Sequence, residues 1–293
     1  MCSVIFFNQQ FFARNMDISF EYHEKMICIP KNYIIGHNQK SMQCKYAMMG
    51  LGNLIANFPL LAEGINEKGL CVATLALKNS TKYQKEDSKK LNLASFEIIP
   101  YILANFSSVF EVKDYFKFVN ITDEDFNSQI KNTPQHWIVS DINGSIIIEQ
   151  TDKGLKVYDN PYHILTNEPP FDKQIENIKK EVKNNTFNKE NLKYDFTSIS
   201  RFMRGCYLKE NAYISQNYNE NLSQALNLIQ QLSVIKGCVY DEKQKLHYTV
   251  YTSCIDCLNK TYFYKNYKQI NYQKFILNEK LINQSEIITF DLM

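Results

Sequence analysis

No stretch of this 293-residue chain approaches 18 uninterrupted apolar residues, and no block of lysines and arginines forms a stripe along it. The first absence argues against a membrane-spanning helix, the second against a nucleic-acid partner. Its 33 basic and 31 acidic residues nearly cancel, to +2, so a polyanionic partner is not expected. The first residues contain no basic segment leading into an apolar run with a small-residue cleavage site. The expected location is therefore cytoplasmic, with no membrane attachment. Internal repeats are lacking too. The eight cysteines (2, 28, 44, 71, 206, 238, 254 and 257) are too sparse for a small secreted disulfide framework, and most are expected to be buried, reduced and inert. Cys254 and Cys257 form a C-x-x-C with no second pair and no suitable histidine. The pair is therefore weak evidence for zinc or redox chemistry.

What is present is an ordinary globular composition, 44% apolar and 22% charged, in a chain long enough to bury about three-quarters of its unfolded surface. A single domain over 1–293 is expected. Residues 3–7 and the apolar restart at 11–13 flank Asn8-Gln9-Gln10, which predicts a hairpin at the N-terminus. Residues 26–30, 33–36 and 46–49 continue the β pattern. Gly64 and Gly69 bracket a turn into the apolar run 70–77. From 92 to 118 apolar residues recur at helical spacing (Phe96, Ile99, Leu103, Phe106), predicting one or two helices kinked or divided at Pro100. Segments 137–140 and 145–150 flank Asn143-Gly144, whose type I′ turn chemistry predicts a second hairpin. Strands follow at 155–158 and 164–167, then an exposed helix and mobile loop over 171–194. Helices at 196–204 and 212–232 and strands at 246–251 and 261–267 complete an α+β order of helices on sheets.

The first two residues carry the main chemical hint. A cysteine after the initiator becomes N-terminal once methionine is removed, and then carries a thiol and an α-amine on one carbon. The amine, with a pKa of about 7.7 to 8.0, serves as the base of its own nucleophile. The predicted hairpin brings Arg14 and Asp17 to a strand end near Cys2, where a cation favours a thiolate and a carboxylate holds an amine. An ordinary surface ion pair fits the same two residues. Asn167, at the break before Pro169-Pro170, either points its amide at a ligand or bonds its own turn. Arg201 and Arg204, one helical turn apart, either bind an anion or form a solvated face.

Taken together, Met1-Cys2-Ser3 and the stretches 13–17, 66–70, 165–167 and 200–202 resemble the choloylglycine hydrolase family, which contains bile salt hydrolases and penicillin V acylases. The likeness extends to 102–109, 136–141 and 251–254, so it covers nearly the full chain in order. It implies an N-terminal-nucleophile hydrolase with an αββα four-layer sandwich, cleaving a non-peptide C–N amide bond without metal or cofactor. In that reading Cys2 is the nucleophile and its amine the base. Arg14 stands beside the thiol, Asp17 orients the amine, Asn167 donates to the oxyanion and Arg201 completes the polar shell. Met16, Leu61 and Ile138 are the expected apolar pocket residues.

Two departures bear on the substrate. Ala76 stands where bile salt hydrolases carry Asn and many penicillin V acylases carry Tyr, and Asn79 replaces it only if the loop bends differently. The interval between Asn167 and Arg201 lacks the Gly-rich loop that walls the pocket and helps bile salt hydrolases form tetramers. The resemblance therefore implies a small-molecule amide substrate, with conjugated bile salts first and penicillin V or an N-acyl homoserine lactone as alternatives. A homo-oligomer and a non-catalytic binding protein on the same fold complete the set.

Overall fold

The computed structural model describes residues 1–38 and 40–292. The apolar run at the N-terminus forms β1 (Cys2–Phe7), and a turn with left-handed Asn8 and Gln9 returns the chain as β2 (Phe11–Ile18). The chain then lays down β3 (Lys25–Ile29), the small ribbon β4 (Ile34–His37) and β5 (Lys40–Gln43), and the meander β6 (Met48–Ile55), β7 (Phe58–Asn66) and β8 (Cys71–Ala76). The predicted turn at 64–69 is in place: Gly69, at φ +85°, follows an Asn66 side chain that accepts from the Lys68 and Leu70 N–H groups.

Residues 92–118 hold the two helices expected of them, though not from the first residue on. They begin with β9 (Leu91–Ala94), and the helices are short: α1 (Ile98–Asn105) and α2 (Val109–Tyr115). Pro100 kinks neither, because it lies in the first turn of α1, where an N–H has no helical partner to lose. After β10 (Val119–Thr122) comes the expected Asn-Gly hairpin of β11 (Gln135–Asp141) and β12 (Gly144–Thr151), then β13 (Gly154–Asp159) and β14 (Ile164–Leu165). Helices α3 (Phe171–Lys183), α4 (Ser198–Glu210) and α5 (Tyr218–Gln230) follow. The last of these starts six residues later than predicted because Asn217 caps it, accepting from the Asn219 and Glu220 N–H groups. The chain ends with β15 (Tyr248–Asp256), β16 (Thr261–Asn266), β17 (Gln273–Ile276), the short α6 (Glu279–Ile282) and β18 (Ile288–Asp291). Among the described residues, no helix is long and apolar enough to cross a membrane.

Two antiparallel sheets stack at the centre. One runs β14-β1-β2-β15-β16-β17, the other β13-β12-β11-β8-β7-β6-β3-β18. Helices α4 and α5 pack on the first through Phe202, Ala225 and Ile229, and α1 and α2 cover the second through Ile102, Leu103 and Val112. The layers are therefore helix, sheet, sheet, helix, and β1 lies inside its sheet with β14 and β2 on either side. Its six residues are all buried.

Glycines let β6 and β7 approach closely enough to bring β7 to the site. Gly50 pairs with Gly64, and a register shift falls between Leu51 and Gly52. A Cβ on Gly52 would lie 2.1 Å from the Leu60 carbonyl oxygen, a backbone atom that cannot swing away. Gly52→Ala should therefore cost about 1–3 kcal/mol through overpacking. An unchanged urea midpoint would contradict this. A second prediction concerns pH. Burial, with the Lys209 charge second, holds the His163 imidazole down at about 4, against about 6.5 when free. Between those values the unfolded chain binds a proton that the folded chain refuses, so stability is full above about pH 6.5 and is lost as pH falls towards 4. His163→Leu should flatten that slope in denaturation measured from pH 4 to 7.

Candidate active site

Cys2 opens β1 opposite Met16 of β2, and its thiol lies 3.6 Å from the Met16 sulfur. Arg14, two residues along β2, points to the same face. One guanidinium nitrogen donates to the Thr74 carbonyl (2.7 Å), to the Met16 sulfur (3.6 Å) and to Cys2 Sγ (3.9 Å). The other donates to the Ala62 carbonyl (2.6 Å) and to Glu63 Oε2 (3.1 Å). Glu63 is in turn fixed at its second oxygen by the hydroxyls of Ser253 and Tyr262, each at 2.5 Å. Arg14 and Glu63 are both buried, so the ordinary surface ion pair left open by the sequence is not what forms.

On the other side of Cys2, the Cys2 N–H donates to Asn167 Oδ1 at 2.7 Å, and Arg201 donates to the same oxygen at 3.0 Å. The Arg201 guanidinium also reaches the Cys2 carbonyl (2.7 Å) and Ser3 Oγ (2.5 Å). These two donors orient the Asn167 amide, whose nitrogen gives one N–H to the Ala76 carbonyl at 2.9 Å. Asp17 accepts from Thr249 Oγ1 at 2.6 Å, while its other oxygen has no hydrogen-bond partner and lies 3.7 Å from Arg201. Burial pushes the Asp17 carboxyl above its usual range, against the pull of Arg201 and the N-terminal ammonium. Burial likewise lowers Arg201.

A network that sequence reasoning gave no role holds Asn167 in place. His136 Nδ1 lies 2.8 Å from Glu149 Oε1, and its Nε2 donates to the Thr166 carbonyl at 2.8 Å. Glu149 also accepts from the Phe171 N–H at the start of α3. The Ser198 hydroxyl, at the start of α4, accepts from the Asn167 N–H at 2.8 Å. The sequence signal was a glutamate inside the apolar run of β12 and a histidine in the facing strand. His247 was missed as well: it approaches the Met1 amine at 2.7 Å from a segment with no motif.

Cys2 forms part of the wall of a cavity of about 550 Å³ between the sheets and the loops at one end, lined also by Arg14, Met16, Leu61, Ala76 and Trp137. Of the apolar residues expected there, Ile138 is not part of the wall. Successive strand residues face opposite ways, and Ile138 packs in the interior with Ala73 and Ile147 while Trp137 takes the cavity side. Asn79 is also outside the wall, with its N–H donated to Glu168. Arg204 neither faces solvent nor joins Arg201 at the site: it is buried, tying the Lys193 and Gln231 carbonyls to α4. Cys254 and Cys257 are buried free thiols, both pushed up by burial, Cys257 to about 12.

The four layers, with a cysteine opening a central strand, define the N-terminal-nucleophile hydrolase type of fold. A family profile described as linear amide C–N hydrolases, choloylglycine hydrolase family, matches residues 2–290. The chain is 32% identical to a bile salt hydrolase/transferase of Lactiplantibacillus plantarum, over 100% of this chain and 97% of that protein. A bile salt hydrolase/transferase of Clostridium perfringens is 33% identical, over 95% and 92%. A crystal structure of a mutant conjugated bile acid hydrolase from Clostridium perfringens superposes with a TM-score of 0.92 at 31% identity, covering 100% of this chain and 97% of that one. Penicillin V acylase from Agrobacterium tumefaciens shares the fold, with a TM-score of 0.81 at 21% identity and coverage of 99% and 91%. The chain belongs to the choloylglycine hydrolase family of linear amide C–N hydrolases.

Removing the Glu63 carboxylate would leave the Arg14 charge buried and uncompensated. Glu63→Ala should therefore destabilise the fold by about 3–5 kcal/mol, read from chemical denaturation. A loss below about 1 kcal/mol, the level of an exposed pair, would show that water reaches the guanidinium.

Proposed function

We propose that this chain, once Met1 is removed, hydrolyses the amide bond of conjugated bile salts with Cys2 as an N-terminal nucleophile. One observation carries the reading: Cys2 sits where a large apolar cavity meets two guanidiniums and the Asn167 amide. The unpartnered Asp17 oxygen supports it further, since a buried carboxylate oxygen without a donor fits an α-amine that appears only on loss of Met1.

In this mechanism the Cys2 amine takes the thiol proton, and the sulfur attacks the amide carbonyl. Negative charge develops on the carbonyl oxygen, where the second N–H of Asn167 and the field of Arg14 stabilise it. The amine returns the proton to the leaving nitrogen, the C–N bond breaks, and an acyl thioester remains. Water, deprotonated by the same amine, attacks the thioester and releases the carboxylic acid. Ala76 contributes a carbonyl that holds Asn167 and a methyl group to the wall, so the position offers no side-chain donor. The acyl preference rests on the apolar wall and on the bile salt relatives at 32–33% identity over nearly the whole chain.

Mass spectrometry of the purified protein should find Met1 absent, and glycocholate should be turned over in preference to penicillin V and a long-chain acyl homoserine lactone. Cys2→Ala should abolish turnover, and Asn167→Ala should lower kcat about a hundred- to thousandfold, as for loss of an oxyanion donor. Retained Met1 in an active enzyme would overturn the mechanism. Inertness towards glycocholate with turnover of either other substrate would overturn the acyl assignment and leave the mechanism standing.

A further inference from the structure

Asn167 stands in a short arch, residues 166–171, that leaves the end of β14 and enters α3 through Pro169 and Pro170. One side-chain pair from the facing sheet grips both ends of it. His136 Nε2 donates to the Thr166 carbonyl at 2.8 Å, and the Glu149 carboxylate accepts from the Phe171 N–H at 3.0 and 3.1 Å. The helix needs that acceptor, because its first N–H groups have no helical partner and Pro170 at the cap has no side-chain oxygen to offer. The two grips are joined by the 2.8 Å contact between His136 Nδ1 and Glu149 Oε1. Packing alone does not ask for these residues. They are fully buried on the strand face of Ile138 and Ile147, which meet across the same two strands in the apolar interior. Apolar side chains in their place would avoid the cost of desolvating two ionisable groups.

The hydrogen-bonding pattern fixes the protons of the pair. A carbonyl oxygen only accepts, so Nε2 carries a hydrogen. A second proton lies between Nδ1 and Glu149 Oε1, since an imidazole lone pair would otherwise face a carboxylate lone pair at 2.8 Å. The pair is therefore neutral as a whole. We propose that His136 and Glu149 are positioning residues for the hydrolytic step: their proton-sharing pair staples the arch so that the second N–H of Asn167 points at the forming oxyanion. The inference rests on the reading of Asn167 as the oxyanion donor. Cys2, Arg201 and Ala76 set the direction of the Asn167 amide, whereas the arch sets how far its backbone stands from Cys2. A misplacement of about 1 Å costs up to about a hundredfold in rate. Neither His136 nor Glu149 belongs to the cavity wall, so the pair acts on rate through the arch and leaves substrate binding alone.

The test replaces the pair by residues of similar size without polar ends, His136→Leu with Glu149→Met, an exchange that buried ion pairs often tolerate. On the substrate that the wild type turns over best, kcat should fall about ten- to hundredfold while KM stays within about twofold. The same double change made in Asn167→Ala should lower kcat by less than about twofold, because the donor it positions is gone. An unchanged kcat, or an equal fall in both backgrounds, would overturn the proposal. Glu149→Gln is the rescue. Its amide donates to Nδ1 and accepts from Phe171, so both grips survive with no shared proton, and kcat should lie within about twofold of wild type. A loss in Glu149→Gln as deep as in the double variant would overturn the staple. A second reading needs no turnover and follows the amide exchange of Asn167, whose N–H bonds Ser198 and neither member of the pair. Exchange should speed up about tenfold in the double variant and match the wild type in Glu149→Gln. Equal rates in all three would overturn the staple. An undiminished kcat in Asn167→Ala would sink the oxyanion assignment and with it the catalytic role, and the exchange rates would still decide whether the pair holds the arch.

Discussion

The Arg14 guanidinium is the link on which the rest of the site depends. It rises from β2 in one sheet and spends its donors on the Ala62 and Thr74 carbonyls and the Glu63 carboxylate of the other, with the Cys2 sulfur at the edge of its reach. A buried cation is costly to desolvate, so it persists only where nearly every donor finds an acceptor. Glu63 meets that need because Ser253 and Tyr262, from β15 and β16, hold its other oxygen. Residues distant in sequence thus lock two sheets at one spacing, and the thiol sits at the lock.

Asn167 is held with the same economy of freedom. Two donors point at its oxygen, one acceptor takes half of its amide nitrogen, and His136, Glu149 and Ser198 fix the backbone on which it stands. A donor that is already oriented loses little when charge develops beside it. The site also separates two kinds of chemistry around Cys2. An apolar chamber lies against the thiol, and a backbone-lined polar cradle lies against the residue that precedes it.

Much of this is legible in the sequence. The N-terminal hairpin followed from two apolar runs around Asn8-Gln9-Gln10, and the Asn143-Gly144 hairpin followed from turn chemistry that only a few residue pairs satisfy. Failures came where local signals compete. Residues 92–118 hold the two expected helices, yet their first residues form β9 and pair with β10, because a strand partner some 28 residues away outweighs periodicity over one turn. Ile138 and Trp137 are equally apolar, and a one-residue alternation decides which of them meets the cavity. Arg201 and Arg204 look alike on a helix, but three residues fall about 60° short of a full turn, and that offset leaves the first at Cys2 and the second at the carbonyls of Lys193 and Gln231.

The sequence by itself determined the α+β class, the family, and which residue types could do acyl chemistry, since these depend on local periodicity and on motifs that survive in linear order. Only the tertiary structure decided who touches whom. Glu63 became the partner of Arg14, His136 and Glu149 became the support of Asn167, and His247 came within hydrogen-bonding distance of the N-terminus. The Arg14–Glu63, His136–Thr166 and His247–Met1 contacts each span a separation in sequence that no local pattern encodes. They form because burial removes water as a partner, and a buried polar group must then find whichever complementary atom the packed sheets bring within about 3 Å.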